Sequence, residues 1–234
     1  MNAGETTIEQ RLETTRDEIR AAEREFGREP NSVQLIAVSK TKPVDDIHAA
    51  IACGQRDFGE NYLDEAVAKV KEVNNPELIW HFIGSIQSNK TKLAAAHCDW
   101  VHCIDREKIA RRMSDQRPEH LHQLNVCIQI NIDNEDSKAG ITLDEIEPLA
   151  DKIAALPRLS LRGLMVIPRP AETFDAQRAP LARTREAFER LRTSHPQIDT
   201  LSMGMSADLR AAVAEGATMV RIGTAIFGAR PPKP

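Results

Sequence analysis

A lysine that follows an apolar segment is the first residue whose position suggests reactive chemistry. Strand alternation would place Lys40 on the same face as Ile36 and Val38. Partial burial, and the like charge of Lys42 if that side chain lies nearby, would both favour the neutral amine, which attacks aldehydes to form a Schiff base. The alternative is a solvated lysine at a strand end. Lys138 is a poorer candidate because an acidic stretch separates it from the preceding apolar segment.

Small and hydroxylated residues near the end of the chain, together with one methionine and one arginine, form a second group, which could bind an anion. They lie where the last two apolar segments end, and they are Ser202, Met203, Gly204 and Ser206, then Arg221, Gly223 and Thr224. Glycine allows close backbone approach, and N–H groups at a helix start attract phosphate. Either segment alone could be an ordinary turn. Together they predict a phosphorylated ligand, so the two groups suit pyridoxal phosphate or an aldolase acting on a sugar phosphate.

Short apolar runs that alternate with helical patterns predict the elements that must position these residues. The predicted strands, each followed by a helical or short terminal segment, are residues 34–39, 56–59, 78–84, 99–104, 125–131, 161–167, 200–204 and 218–223. Several are apolar on both faces, which is typical of parallel strands covered on both sides. The pattern predicts an α/β fold, a (β/α)₈ (TIM) barrel, and leaves an open doubly wound sheet as the alternative. Such barrels commonly bind phosphate after strands seven and eight.

The domain organisation is expected to be simple. No linker rich in glycine, serine or proline interrupts the chain, so residues 1–234 are expected to form a single domain. An extra N-terminal helix and loop over residues 1–30 would precede the barrel, and residues 231–234 would form a flexible tail. Asn61 is expected to cap the helix after the second strand, and Ser206 the helix after the seventh.

The composition excludes several classes of protein. A net charge of −4 gives no basic field for nucleic acid. No apolar run is long enough to cross a bilayer, and the N-terminus is polar, so we expect a cytoplasmic protein without membrane contact. The cysteines and histidines lack metal-ligand spacing, so no metal is expected. Without a heptad stripe, and with a sheet that closes on itself, the chain is expected to be a monomer.

Five segments of the sequence resemble one known family. They are AVSKTKP (37–43), FGENY (58–62), WHFIGSIQSNK (80–90), LSMGMSAD (201–208) and VRIGTAIFGAR (220–230). These segments are similar to those of the YggS/PROSC family of pyridoxal phosphate homeostasis proteins, and the similarity runs from about residue 8 to residue 230. The resemblance implies a barrel similar to the N-terminal domain of alanine racemase, with pyridoxal 5'-phosphate as its cofactor.

The resemblance also implies roles for individual residues. Lys40 would form the aldimine with the cofactor, and Arg221 would approach the pyridine nitrogen or the phosphate. Asn61 and His81 would be less central pocket residues, and for His81 a packed histidine inside the barrel is an equal alternative. The residues implied around the phosphate are Ser202, Met203, Gly204, Ser206, Gly223 and Thr224.

The expected function is that of a carrier of pyridoxal phosphate without catalytic turnover. An arginine at the ring nitrogen would leave that nitrogen unprotonated and weaken the electron sink that carbanion chemistry needs. Racemisation also needs a second base, and Tyr62, the single tyrosine, has no special claim to that role. The protein would pass the cofactor to pyridoxal-phosphate-dependent apoenzymes. The alternative is a pyridoxal phosphate enzyme with weak racemase or lyase activity.

Overall fold

Eight parallel strands form one closed barrel in the computed structural model, which describes residues 6–135 and 139–229. The strands follow the barrel in chain order, and the last pairs with the first. They are β1 (Gln34–Val38), β2 (Asp57–Glu60), β3 (Ile79–Phe82), β4 (Trp100–Ile104), β5 (Leu124–Ile130), β6 (Leu159–Val166), β7 (Thr200–Ser202) and β8 (Met219–Ile222). The prediction of a (β/α)₈ barrel is confirmed, and the doubly wound sheet is excluded. Lys138 and the predicted tail at 231–234 lie outside the described residues.

Helices cover the outside of the barrel, because each parallel strand needs a crossover to reach the next. They are α1 (Ile8–Glu25), α2 (Val44–Ala52), α3 (Leu63–Val73), α4 (Thr91–His97), α5 (Glu107–Gln116), α6 (Ile146–Ala154), α7 (Phe174–Ser194), α8 (Leu209–Ala214) and α9 (Thr224–Phe227). A short 3₁₀ helix, Leu143–Glu145, leads into α6. No helix in the described ranges is long and apolar enough to cross a membrane.

The predicted N-terminal helix is present and takes a defined place in the barrel. A capping box between Thr7 and Gln10 starts α1, and Leu12, Ile19 and Ala22 lie on its buried face. The helix packs against α2, α8 and α9. Because α9 has only four residues, α1 fills the outer position that a long eighth helix would otherwise take.

Candidate functional site

A cavity of about 300 Å³ opens at the carboxyl ends of the strands, which is the end where barrels of this kind carry their functional groups. Its wall is formed by Val38, Lys40, Asn61, Ile83, Ile167, Met205, Ser206, Ala207, Arg221, Gly223 and Thr224. We call it the strand-end cavity. It brings together six of the residues that the sequence suggested, from both ends of the chain: Lys40, Asn61, Ser206, Arg221, Gly223 and Thr224.

Lys40 lies in a bent segment just after β1. Its neighbour Thr41 adopts a left-handed conformation with φ of 63°, which is uncommon for a non-glycine residue and is held here by contacts on both sides. The Thr41 N–H donates to Glu65 Oε1 at 2.6 Å, and the Ser39 hydroxyl donates to Glu60 Oε1 at 2.6 Å. Lys40 is half-buried and stands on the cavity wall.

Lys42 makes contacts at the other side of the same loop. Its ammonium group donates to the carbonyl oxygens of Phe227 and Ala229, both at 2.8 Å. These contacts tie the loop after β1 to the end of α9. The Lys42 ammonium group is therefore held by two backbone carbonyls. These contacts give no support to the expectation that its charge favours the neutral form of the Lys40 amine.

A buried ammonium group supports the Lys40 segment from behind. Lys69 Nζ, on α3, donates to the Ser39 carbonyl at 2.7 Å, to Glu60 Oε1 at 2.8 Å and to Glu65 Oε1 at 2.6 Å. Burial raises the pKa of Glu60, while Lys69 and Ser39 act in the opposite direction. We call Ser39, Glu60, Glu65 and Lys69 the lysine cluster. It links the ends of β1 and β2 to α3.

Asn61 faces the strand-end cavity instead of capping a helix. The prediction of an Asn61 cap is wrong, because Tyr62 occupies the N-cap position of α3. The Asn61 Oδ1 atom is buried and has no hydrogen-bond partner within the described parts of the chain. An unsatisfied buried acceptor is costly, and a ligand in the cavity can supply the missing partner.

Arg221 projects from β8 and is only 4% exposed. Its Nη1 donates to Ser202 Oγ at 2.7 Å, and its Nη2 donates to the Val166 carbonyl at 2.9 Å. Burial lowers the pKa of Arg221 to about 10, with Asp208 and Cys127 acting in the opposite direction. The guanidinium is therefore a cation at neutral pH, and it lines the strand-end cavity while two of its five N–H groups donate to Ser202 and Val166.

The segment after β7 turns sharply on Gly204. Its φ is +101°, and an added Cβ would lie 2.5 Å from the Ala212 Cβ, so this position requires glycine. The prediction that Ser206 caps the following helix is wrong. Asp208 is the N-cap residue of α8, and its Oδ1 accepts the Met205 N–H at 2.6 Å. Ser206 lies exposed on the cavity wall instead.

Four predicted site residues lie beneath the wall rather than on it, as far as the described residues show. Ser202 and His81 belong to the barrel interior, and His81 contacts His102 and Asp57. Met203 is fully buried. The Gly204 carbonyl oxygen accepts a hydrogen bond from the backbone N–H of Arg221 at 2.9 Å. Ser202 and Gly204 hold Arg221, which lines the cavity.

Sequence reasoning missed two kinds of site residue. Apolar wall residues such as Ile83 and Ile167 gave no chemical signal, because they resemble any other strand residue. Lys69 did leave a signal, since it lies three positions after Ala66 on the apolar stripe of α3, where a charged residue needs a buried partner.

Known proteins resemble this chain over nearly its whole length. Residues 11–231 match the family model described as alanine racemase, N-terminal domain. A pyridoxal phosphate homeostasis protein of Escherichia coli (strain K12) is 54% identical over 226 residues, which cover 95% of this chain and 97% of that protein. PipY of Synechococcus elongatus PCC7942 was solved without and with PLP. The two structures are 38% and 37% identical, with TM-scores of 0.84 and 0.82, over 95% of this chain and 100% of PipY.

Proposed function

The chain belongs to the alanine racemase N-terminal domain family and, within it, to the pyridoxal phosphate homeostasis proteins, and from this premise we propose that it binds pyridoxal 5'-phosphate in the strand-end cavity. The observation that carries the proposal is the meeting of an amine, a buried guanidinium and two hydroxyl groups around one cavity of about 300 Å³. That volume lies at the lower end of small-ligand sites.

Lys40 is the residue that would hold the cofactor covalently. A neutral amine adds to an aldehyde carbon and releases water to give an imine, and water reverses the reaction. Lys40 stands on the cavity wall, and the lysine cluster fixes the backbone on both sides of it. A fixed amine can capture the aldehyde without ordering a flexible loop first.

The remaining wall residues divide between the ring and the phosphate. Asn61 Oδ1 lacks a partner, and Arg221 has N–H groups to offer, so both suit the polar edge of the ring. Ser206 and Thr224 bring hydroxyl groups, and Gly223 starts the turn into α9. Backbone N–H groups in the first turn of a helix lack intrahelical acceptors, so they add donors for a phosphate.

The residues below the wall would act indirectly. Ser202 accepts a hydrogen bond from the Arg221 guanidinium, and the Gly204 carbonyl accepts one from the Arg221 backbone N–H. Met203 fills the core beneath the β7 turn. We propose that these three residues support the wall instead of contacting the cofactor.

We further propose that the protein stores the cofactor and releases it to apoenzymes without turning over a substrate. When bound, pyridoxal phosphate supplies an electron sink whose strength depends on protonation of the ring nitrogen. A guanidinium that stays charged at neutral pH would not give that nitrogen a proton. The homeostasis role named for the relatives supports the same function.

Reconstitution with pyridoxal phosphate tests the covalent step. Wild-type protein should develop a visible absorption band, and borohydride should fix the label on Lys40. Lys40→Ala should lose both, whereas Lys92→Ala, which changes an exposed lysine on α4, should keep both. A label found on Lys138 in wild-type protein would contradict the assignment of Lys40.

A second experiment separates the carrier from an enzyme. Loaded protein is incubated with individual amino acids, and chiral chromatography follows racemised or cleaved products. The proposal expects no sustained turnover. Turnover at a useful rate that Lys40→Ala abolishes would establish the enzymatic alternative.

A further inference from the structure

A row of polar side chains crosses the interior of the barrel, where branched apolar residues usually fill the space. Each member contacts the next: Asp57 Oδ1 and His81 Nε2 are 2.9 Å apart, His81 Nδ1 and His102 Nε2 3.0 Å, His102 Nδ1 and Ser202 Oγ 2.8 Å, and Ser202 Oγ and Arg221 Nη1 2.7 Å. We call these five residues the polar row. It links β2, β3, β4, β7 and β8, and it ends at the strand-end cavity.

The two ends of the polar row give it a direction. The Arg221 guanidinium can only donate, and the Asp57 carboxylate can only accept. His81 therefore donates from Nε2 to Asp57, and in the neutral ring its Nδ1 is an acceptor. His102 then donates from Nε2 to His81, and its Nδ1 accepts the hydroxyl hydrogen of Ser202. Ser202 Oγ in turn accepts from Arg221, so every link has one donor and one acceptor.

The surroundings of His102 favour the neutral ring that this direction requires. His81 and His102 are almost completely buried, and Trp100 packs against both rings. Burial lowers the pKa of His102 well below its ordinary value, and His81 and Arg221 lower it further. Burial also raises the pKa of Cys127, on β5 near Arg221, to about 12, so this thiol is uncharged at neutral pH.

Asp57 fixes the far end of the polar row. It is the first residue of β2, and its carboxylate also accepts a hydrogen bond from Gln34 Nε2 at 2.7 Å. It borders a second cavity, at the opposite end of the barrel beside α1, which also includes Arg16 and Arg56. The polar row thus spans the barrel from one end to the other.

We propose that Asp57, His81 and His102 are positioning residues, which act through Ser202 to fix the direction of the Arg221 guanidinium in the strand-end cavity. The inference rests on the proposed function for its consequence, because Arg221 is expected to face the cofactor ring. A Ser202 hydroxyl hydrogen directed at His102 leaves the lone pairs of Ser202 Oγ to accept from Arg221. His102 in turn has its bare nitrogen on that side only while His81 accepts from it.

Nitrogen NMR of the imidazole rings tests the direction without any cofactor. In apo wild-type protein at neutral pH, His81 and His102 should each carry a proton on Nε2 and none on Nδ1. Guanidinium N–H signals of Arg221 should be resolved in wild-type protein and lost to exchange in Ser202→Ala. A proton on Nδ1 of either ring, or Arg221 signals that Ser202→Ala leaves unchanged, would overturn the inference.

Cofactor affinity tests the consequence with three variants. His102→Phe and Ser202→Ala should each weaken pyridoxal phosphate binding about tenfold, the effect of one hydrogen bond to a charged group. His102→Gln keeps one donor and one acceptor, so it should bind within about twofold of wild type by the same scale. The matched control is His195→Phe, which removes a histidine–aspartate contact of 3.0 Å to Asp151 on the outside of the barrel and should leave cofactor affinity unchanged.

The outcomes distinguish the two proposals. If wild-type protein fails to bind the cofactor, the proposed function fails, and the spectra of the apo protein still decide the direction of the polar row. If wild-type protein binds and a folded Ser202→Ala binds equally well, the positioning role is wrong while the proposed function stands. His102→Phe also buries an unsatisfied Ser202 and can unfold, and Ser202→Ala then gives the decision alone.

Discussion

Lys69 is a single residue on which the geometry around Lys40 depends. Its ammonium group is almost completely buried, and three oxygen atoms from two strand ends and α3 surround it. A buried ion pair is weak grounds for stability in itself, but removal of one partner leaves the other charge uncompensated. Glu60 would be left in that position, with its Oε2 already lacking a partner among the described residues.

The first prediction follows from that arrangement. Lys69→Met should lower the free energy of unfolding by about 3–5 kcal/mol, and it should weaken pyridoxal phosphate binding because the segment around Lys40 loses its support. Urea denaturation and cofactor titration measure the two effects. Lys71→Met, an exposed change on the same helix, is the control. Wild-type stability in Lys69→Met would show that the lysine cluster carries no such energy.

His102 gives a prediction for the pH dependence of stability. Its pKa is lowered in the folded protein by burial first, then by His81 and Arg221. Below the ordinary histidine pKa of 6.5, the unfolded chain takes up a proton at His102 and the folded chain does not. The free energy of unfolding should therefore fall with decreasing pH, by about 1.4 kcal/mol per pH unit from this residue, until its folded pKa is reached.

His102→Gln isolates this effect from the other titrating groups. Denaturation curves of both proteins are compared between neutral and mildly acidic pH. The variant should lose less stability than wild type as the pH falls below 6.5. Identical slopes would mean that His102 takes up its proton in the folded protein as well.

At the scale of elements, the strand and helix positions followed from the sequence, while the turns that carry the site did not. Alternation of apolar and polar residues depends on neighbours a few positions away, so it marked each strand within a few residues and indicated a helical segment after most of them. The caps expected at Asn61 and Ser206 were wrong because each side chain faces the strand-end cavity and a later residue starts the helix. A cap pattern in a sequence does not show which other partner competes for the side chain.

Gly84 gives the prediction at this scale. It follows β3, and an added Cβ would lie 2.2 Å from the Asn61 carbonyl oxygen. Gly84→Ala should therefore shift the Asn61 backbone, cost about 1–3 kcal/mol as overpacking does, and weaken pyridoxal phosphate binding.

Gly27→Ala is the control for Gly84→Ala. Gly27 has a φ of +62° but open space around it, so its substitution should cost about 1–2 kcal/mol from backbone conformation alone. It should leave cofactor affinity unchanged. Calorimetry and cofactor titration of both variants test the expectation, and equal affinity in Gly84→Ala would mean that Asn61 does not depend on this contact.

At the scale of the whole molecule, the sequence indicated the barrel and the two chemical groups at its mouth. It could not indicate the polar row, because contacts such as the one between His102 and Ser202 join residues 100 positions apart. His81 was recognised only as a residue with two equal interpretations. The expectation of a monomer stays a prediction.

The place of α1 yields the last prediction. It packs against α2, α8 and α9, and Glu23 on its buried face accepts the N–H groups of Asn31 at 3.1 Å and Val33 at 2.9 Å. A chain that starts at residue 28 should lose the cooperative thermal transition of the full-length protein, measured by circular dichroism. An unchanged transition temperature would show that α1 is an accessory to the barrel.

Pairing of the last strand with the first has a consequence for the newly made protein. Lys40 is synthesised well before Arg221 and Thr224, which stand on the wall of the same cavity. A growing chain therefore presents the amine before this wall can form. Under the proposed function, the chain would bind the cofactor only after β8 has been made and has paired with β1.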